Sequence, residues 1–179
     1  MNPQKCCCHN KLPSPPGYYW RDYTGEIPED AFPAGLDANT KPTYIGQAYL
    51  AGVGLIVTNV YPGQTTMNLP YYQVHPSDVG MKILCSSNPN SLFWENVTNR
   101  ELPSTTAGKE VIIGGYQTNV YRMILNIGRV LFQGELIVGK VTGNHPTENK
   151  AGQGILYFVA GGQENSVNSY QVLLYDSSK

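Results

Sequence analysis

The sequence predicts an all-β fold in which two pseudo-two-fold-related antiparallel repeats form one compact domain. The first observation behind this is repetition. Trp20, Gly25-Glu26-Ile27-Pro28, Tyr44-Ile45-Gly46 and Tyr61-Pro62-Gly63 return as Trp94, Arg100-Glu101-Leu102-Pro103, Val120-Tyr121-Arg122 and Val138-Gly139-Lys140, at offsets of 74 to 77. A slowly drifting offset is what loop insertions leave behind, and a unit this short gains a core by packing on its copy. The second is composition: thirteen Tyr, nineteen Gly and thirteen Pro, with few Lys, Glu or Ala runs, favour strands and turns over helices. The third is spacing, since apolar runs of strand length alternate with turn signals along the chain.

Residues 1–17 read as a disordered tail, because Pro13, Pro15 and Pro16 sit in a polar run without periodicity. The folded body is expected over 18–179 as a single domain, its repeats covering about 18–92 and 93–179. Strands are expected over 43–51, 54–60, 82–86, 110–114, 119–125, 129–140, 155–159 and 169–175. Their β-branched and aromatic residues, and breaks such as Gly52, Gly80, Gly128 and Gly161-Gly162, point to antiparallel hairpins. One short helical turn is expected near Pro28-Glu29-Asp30-Ala31. Trp20 and Trp94 recur in both copies and are read as core anchors.

A net charge of −1 without any Lys/Arg block gives no footprint for nucleic acid or for an anionic membrane. Partners are therefore expected to be neutral molecules or proteins. The residues after Met1 form no secretory leader, and no apolar run reaches the length of a membrane span. The expected compartment is cytoplasmic by default, with unconventional secretion as the other route. Cys6-Cys7-Cys8-His9 is a poor zinc site, because adjacent residues splay alternately. It reads as a tail with exposed thiols, and membrane association follows only if those cysteines are acylated. Cys85, between Leu84 and Ser86, is expected to be a small buried hydrophobe.

Catalysis has little support in the residues. His75 and His145 precede prolines, His9 lies in the tail, and no Gly-x-Ser-x-Gly or phosphate-binding glycine loop is present. No pair of carboxylates stands out as a glycosidase pair. The chain is read as not an enzyme, with no cofactor and no metal site.

Trp20, the Gly-x-Ile-Pro at Gly25, Ala34-Gly35-Leu36-Asp37, Tyr44-Ile45-Gly46-Gln47-Ala48 and Pro62-Gly63-Gln64 together resemble the tandem DM-nine repeat. That repeat also forms the lectin-like part of natterin-type toxins. The resemblance covers about Tyr18 to Tyr175 and is looser in the second copy, where Gly114-Gly115-Tyr116-Gln117 replaces Ala-Gly-x-Asp. It implies a two-repeat β fold that often dimerises. It also implies a mannose-type lectin acting in glycan or pathogen recognition, a role in innate immunity. In that family a carboxylate and an amine hold the sugar hydroxyls. By the resemblance these fall on Asp37 and Gln64 in the first repeat, and on Gln117 and Lys140 in the second. Neither copy has the full charged pair, so a sugar-blind protein-interaction or assembly module is the competing expectation. The bland reading of Asp37 is that it closes a turn through its own backbone, and Gln64 and Lys140 each follow a glycine, where any solvated residue would serve.

Overall fold

The computed structural model describes residues 17–118, 123–142 and 154–179. Among the described residues fifteen strands run in order: β1 Tyr18–Asp22, β2 Pro33–Leu36, β3 Pro42–Leu50, β4 Gly54–Val60, β5 Met67–Tyr71, β6 Gln73–Ser77, β7 Lys82–Ser86, β8 Leu92–Thr98, β9 Glu110–Val111, β10 Ile113–Gln117, β11 Met123–Phe132, β12 Glu135–Thr142, β13 Leu156–Ala160, β14 Gln163–Val167 and β15 Ser169–Tyr175. A single turn of helix, α1, spans Leu102–Thr106. The fold is therefore all-β, as the composition predicts. Residues 1–16 of the expected tail, with Cys6, Cys7, Cys8 and His9, and the expected strand start at Asn119 with Tyr121, lie outside the described residues, whereas Gly17 is tied to the body by its amide donating to the Tyr175 hydroxyl at 2.9 Å.

All ladders are antiparallel, and six of the strands close on themselves. β2 pairs with β3, β3 with β4, β4 with β10, β10 with β11, β11 with β12, and β12 returns to β2 through Leu136 and Leu36. Closure removes sheet edges, which otherwise invite pairing with other chains. β7 joins β3 and carries β1, while β15 joins β11 and carries β8. The β5–β6 hairpin is a separate two-stranded sheet, whereas its counterpart β13–β14 is bonded to β12.

The pairings of one half recur in the other at fixed positions. Gly46 stands opposite Ile83 and Thr58 on β3, and Gly128 stands opposite Val172 and Gly139 on β11. Trp20 faces Leu84 as Trp94 faces Leu173. The bulge between Pro33 and Gly35 returns between Ile113 and Gly115. The Phe32 amide donates to Leu84 O at 2.9 Å as the Ile112 amide donates to Leu173 O at 3.3 Å.

This register corrects two expected correspondences, the first being that Tyr44 matches Asn126 and not Tyr121. Gly139 matches Thr58, not Gly63, and Lys140 matches Asn59, not Gln64. The Leu55-Ile56-Val57 and Leu136-Ile137-Val138 triplets therefore align without a gap.

Two glycines show why this backbone plan is strict. A side-chain carbon on Gly35 would lie 2.2 Å from Leu136 O, and one on Gly115 would lie 2.0 Å from Leu55 O. Both distances fall far inside van der Waals contact, so a strand crosses its neighbour there at a spacing only glycine permits. The barrel interior is filled by matched residues, including Ala34, Ile45, Val57 and Leu84 from one half and Ile127, Val138 and Leu173 from the other. Trp20 and Trp94 pack partly buried against this cluster. Two flanking clusters lie outside the barrel, one around Ile56, Val60, Leu69 and Ile83 and one around Ile137, Val141, Phe158 and Val172. Each fully buried aliphatic side chain contributes roughly 1.5–3 kcal/mol through burial.

Several local expectations are corrected, since Gly128 lies within β11 and breaks no strand, and the expected strand 110–114 is divided between β9 and β10. The run 129–140 is not one strand, because Gln133 and Gly134 take φ of 51° and 88° and fold it into the β11–β12 hairpin. Pro28-Glu29-Asp30-Ala31 forms a turn closed by the Ala31 amide on Pro28 O, and the helix is α1 instead. Cys85 is fully buried and free, and burial pushes its thiol up to about 12.

Candidate functional site

In the first half the two sequence-predicted residues are each held by their own turn. β2 ends at Leu36, and Asp37 Oδ1 accepts the amides of Asn39 and Lys41, both at 2.8 Å. The Asp37 amide donates to Lys41 O at 2.9 Å, closing the β2–β3 hairpin. Gln64 Oε1 accepts the Tyr61 amide at 3.0 Å, and the Gln64 amide donates to Tyr61 O at 3.2 Å. No hydrogen bond joins Asp37 to Gln64 among the described residues.

What lies beside Asp37 is a different set of groups. Leu36 pairs with Leu136, and the antiparallel register carries Asp37 alongside Glu135 at the start of β12. The Tyr61 hydroxyl, at the end of β4, donates to Glu135 Oε2 at 2.7 Å. Burial, the Glu135 hydrogen bond and charge, and the more remote Asp37 charge together hold that phenol well above its ordinary range. Tyr61 and Glu135 wall an open cleft of about 240 Å³ together with Asn68, Phe132 and the Gly161-Gly162 turn. Asn59 lies behind it, with Oδ1 accepting Thr43 Oγ1 at 3.0 Å and the Val138 amide at 3.3 Å, and with Nδ2 buried and unpartnered among the described residues.

In the second half the structure does bring the two sequence-predicted residues together. Lys140 Nζ donates to Gln117 Oε1 at 3.4 Å. Gln117 is half-buried at the end of β10, whereas Lys140 is only 4% exposed. The ammonium lies 5.2 Å from the Tyr71 ring centroid and 5.4 Å from that of Tyr157, both within cation–π reach. Burial pulls the Lys140 amine down to about 8, against the attraction of Glu164. Burial in turn raises the Glu164 carboxyl, against Lys140, the Tyr72 backbone and His75, and its Oε2 is buried without a partner among the described residues. No ion pair holds Lys140 among the described residues.

Arg129 is a second cation removed from water. Its Nε donates to Gln171 Oε1 at 2.8 Å, its Nη1 donates to Ala34 O at 2.9 Å, and its Cζ lies 4.2 Å from the Trp94 ring centroid. Burial pulls it down to about 10. These contacts make it a tie between β11, β2 and β15.

Tyr61, Glu135, Asn59 and Glu164 escape the sequence reading. Asn59 was within reach of it, since the repeated Leu-Ile-Val triplets set the matching register. Glu135 was not, because its place beside Asp37 depends on closure between β12 and β2. Among the described residues no group of three His, Cys, Asp or Glu side chains could hold a metal ion, and no helix is long and apolar enough to cross a membrane. No family model matches the chain, and no curated protein matches it.

Proposed function

We propose that this chain is a carbohydrate-binding protein without catalytic activity, and that the Tyr61–Glu135 cleft seats one neutral, mannose-type hexose. The observation that carries the reading is the Tyr61 hydroxyl fixed on the Glu135 carboxylate at the wall of an open cleft. A hexose presents neighbouring hydroxyls that both donate and accept, and Glu135 accepts while the Asn68 amide donates. Phe132 offers an apolar wall to the C–H face of the ring. A volume of about 240 Å³ is below the roughly 300 Å³ at which drug-sized sites begin, and suits one small ring. The DM-nine resemblance supports the same ligand class, a pseudo-two-fold relation of the halves, and a role in recognising glycans on microbes or host cells.

Calorimetric titration with D-mannose tests this. Glu135→Gln and Tyr61→Phe are expected to weaken mannose binding at least tenfold while leaving the melting temperature within a few degrees. Absence of mannose binding in the wild-type chain, or unchanged binding in both variants, overturns it.

The competing reading is a sugar-blind assembly module that pairs with another copy, and one feature favours it. Leu36, Leu136 and Leu131 form a cross-strand row with Leu36 40% and Leu131 73% exposed, and Tyr116, Leu55 and Tyr49 form the matching row in the other half. Sizing of the purified chain with and without mannose separates the two.

A further inference from the structure

We infer that the pocket around Lys140 is a second and chemically distinct site, which takes the carboxylate of an acidic sugar such as a uronic acid. The inference rests on the glycan reading for its ligand class but uses none of the cleft residues. Its starting point is a charge imbalance between matching positions. The position two residues past the bulge glycine holds Asp37, just after β2, in the first half and Gln117, at the end of β10, in the second, and the β4 position that holds Asn59 holds Lys140 on β12. The second half has thus lost a carboxylate and gained a cation at the same rim.

That cation is 4% exposed, and its one hydrogen bond among the described residues is a 3.4 Å contact to a neutral amide oxygen. A buried ammonium is stable only when anions or several oxygens surround it. Two tyrosine rings more than 5 Å away do part of this. Gln117 is half-buried at a strand end, and rotation of its side chain uncovers Nζ to an incoming carboxylate. A carboxylate there forms the charge-assisted hydrogen bond that the amide supplies weakly. Glu164 faces the same amine, and burial biases it toward the neutral acid, in which form it donates to the ligand. Tyr72, 82% exposed beside Tyr71 at a ring-centroid distance of 4.7 Å, gives the sugar ring a stacking surface at the mouth.

Titration calorimetry at pH 6 with D-glucuronate and D-glucose, which differ only at C6, decides the matter. Glucuronate is expected to bind, and glucose at least tenfold more weakly. Lys140→Met is expected to lose glucuronate binding at least tenfold. Gln117→Asp, which sets a carboxylate where the ligand's would lie, is expected to do the same without lowering the melting temperature. If Lys140→Met fails to fold, Gln117→Asp decides alone. Equal binding of glucose and glucuronate, no glucuronate binding, or binding that survives Gln117→Asp overturns the inference. Glu135→Gln keeps the two claims separable. A chain that binds mannose but not glucuronate loses this inference alone, and a chain that binds glucuronate but not mannose loses only the neutral-sugar cleft.

Discussion

At the rim where β12 meets β2, Asp37 of the first half stands beside Glu135, whereas the matching rim beside Gln117 presents the buried ammonium of Lys140. Several strand pairings beneath recur at matching positions, including the Leu-Ile-Val triplets, Trp20 and Trp94, and the bulges at Gly35 and Gly115. The difference teaches that the backbone plan constrains positions facing the barrel axis and the close crossings, and leaves the strand ends free to diverge. A substitution such as Asp-to-Gln at a rim changes the charge presented there at little cost to packing. One at a crossing changes the fold. The two halves thus carry different charge at their rims on one scaffold.

The sharpest way to break the comparison is to attack the crossings in both halves. Gly35→Ala and Gly115→Ala each drive a methyl group to about 2 Å from a backbone carbonyl oxygen on a neighbouring strand. Backbone atoms cannot swing aside as a flexible side chain does, so each change is expected to cost about 3 kcal/mol or more. Denaturant midpoints of the two variants should fall by similar amounts. If one is tolerated and the other is not, the halves do not share the close crossing that defines their correspondence.

A smaller effect tests the charge difference through pH. Lys140 lies among Tyr71, Tyr157 and Glu164, and burial lowers its amine from 10.5 to about 8. Below about pH 8 the folded chain carries a buried charge that the unfolded chain keeps solvated, so folding bears a penalty there. Between about 8 and 10.5 the unfolded state binds the extra proton, and stability rises with pH. The expected gain is on the order of 3 kcal/mol at most, and Lys140→Met should remove it. Asn59, the matching residue, does not titrate. A wild-type stability curve with the same alkaline slope as Lys140→Met would show that the ammonium is better solvated than its 4% exposure implies.

Much of the barrel was legible before any coordinates, and the reasons are local. Gly54–Val60, Lys82–Ser86 and Ser169–Tyr175 follow from dense β-branched and aliphatic runs bounded by turn residues, and they stand with those bounds. The β11–β12 hairpin was hidden because Phe132-Gln133-Gly134-Glu135 carries only one glycine, while the apolar pattern continues on both sides of it. β1, β2 and β14 were hidden because they are only four or five residues long and carry no extended apolar alternation. The Gln117–Lys140 contact was legible only through the DM-nine resemblance, which sets both residues in one repeat. The Tyr61–Glu135 contact joins residues 74 apart in sequence through barrel closure, and no local signal encodes that.

The smallest expected effect concerns Asp37 and Gln117, which share a position and differ in what their side chains hold. Asp37 Oδ1 caps two backbone amides of the hairpin turn, and Thr40 within that turn takes a φ of 61°, which needs such support. Removing the carboxylate in Asp37→Ala leaves two amides to water and is expected to cost about 1 kcal/mol. Asp37→Asn keeps an accepting oxygen in place and should recover most of that loss. Gln117 accepts one hydrogen bond at 3.4 Å, beyond the range of a strong one, so Gln117→Ala is expected to cost only a few tenths of a kcal/mol. Thermal melts of the three variants at pH 6 give the ordering. If Gln117→Ala proves as costly as Asp37→Ala, the contact between Gln117 and the buried amine is structural, and its exchange for a ligand carboxylate loses its physical basis.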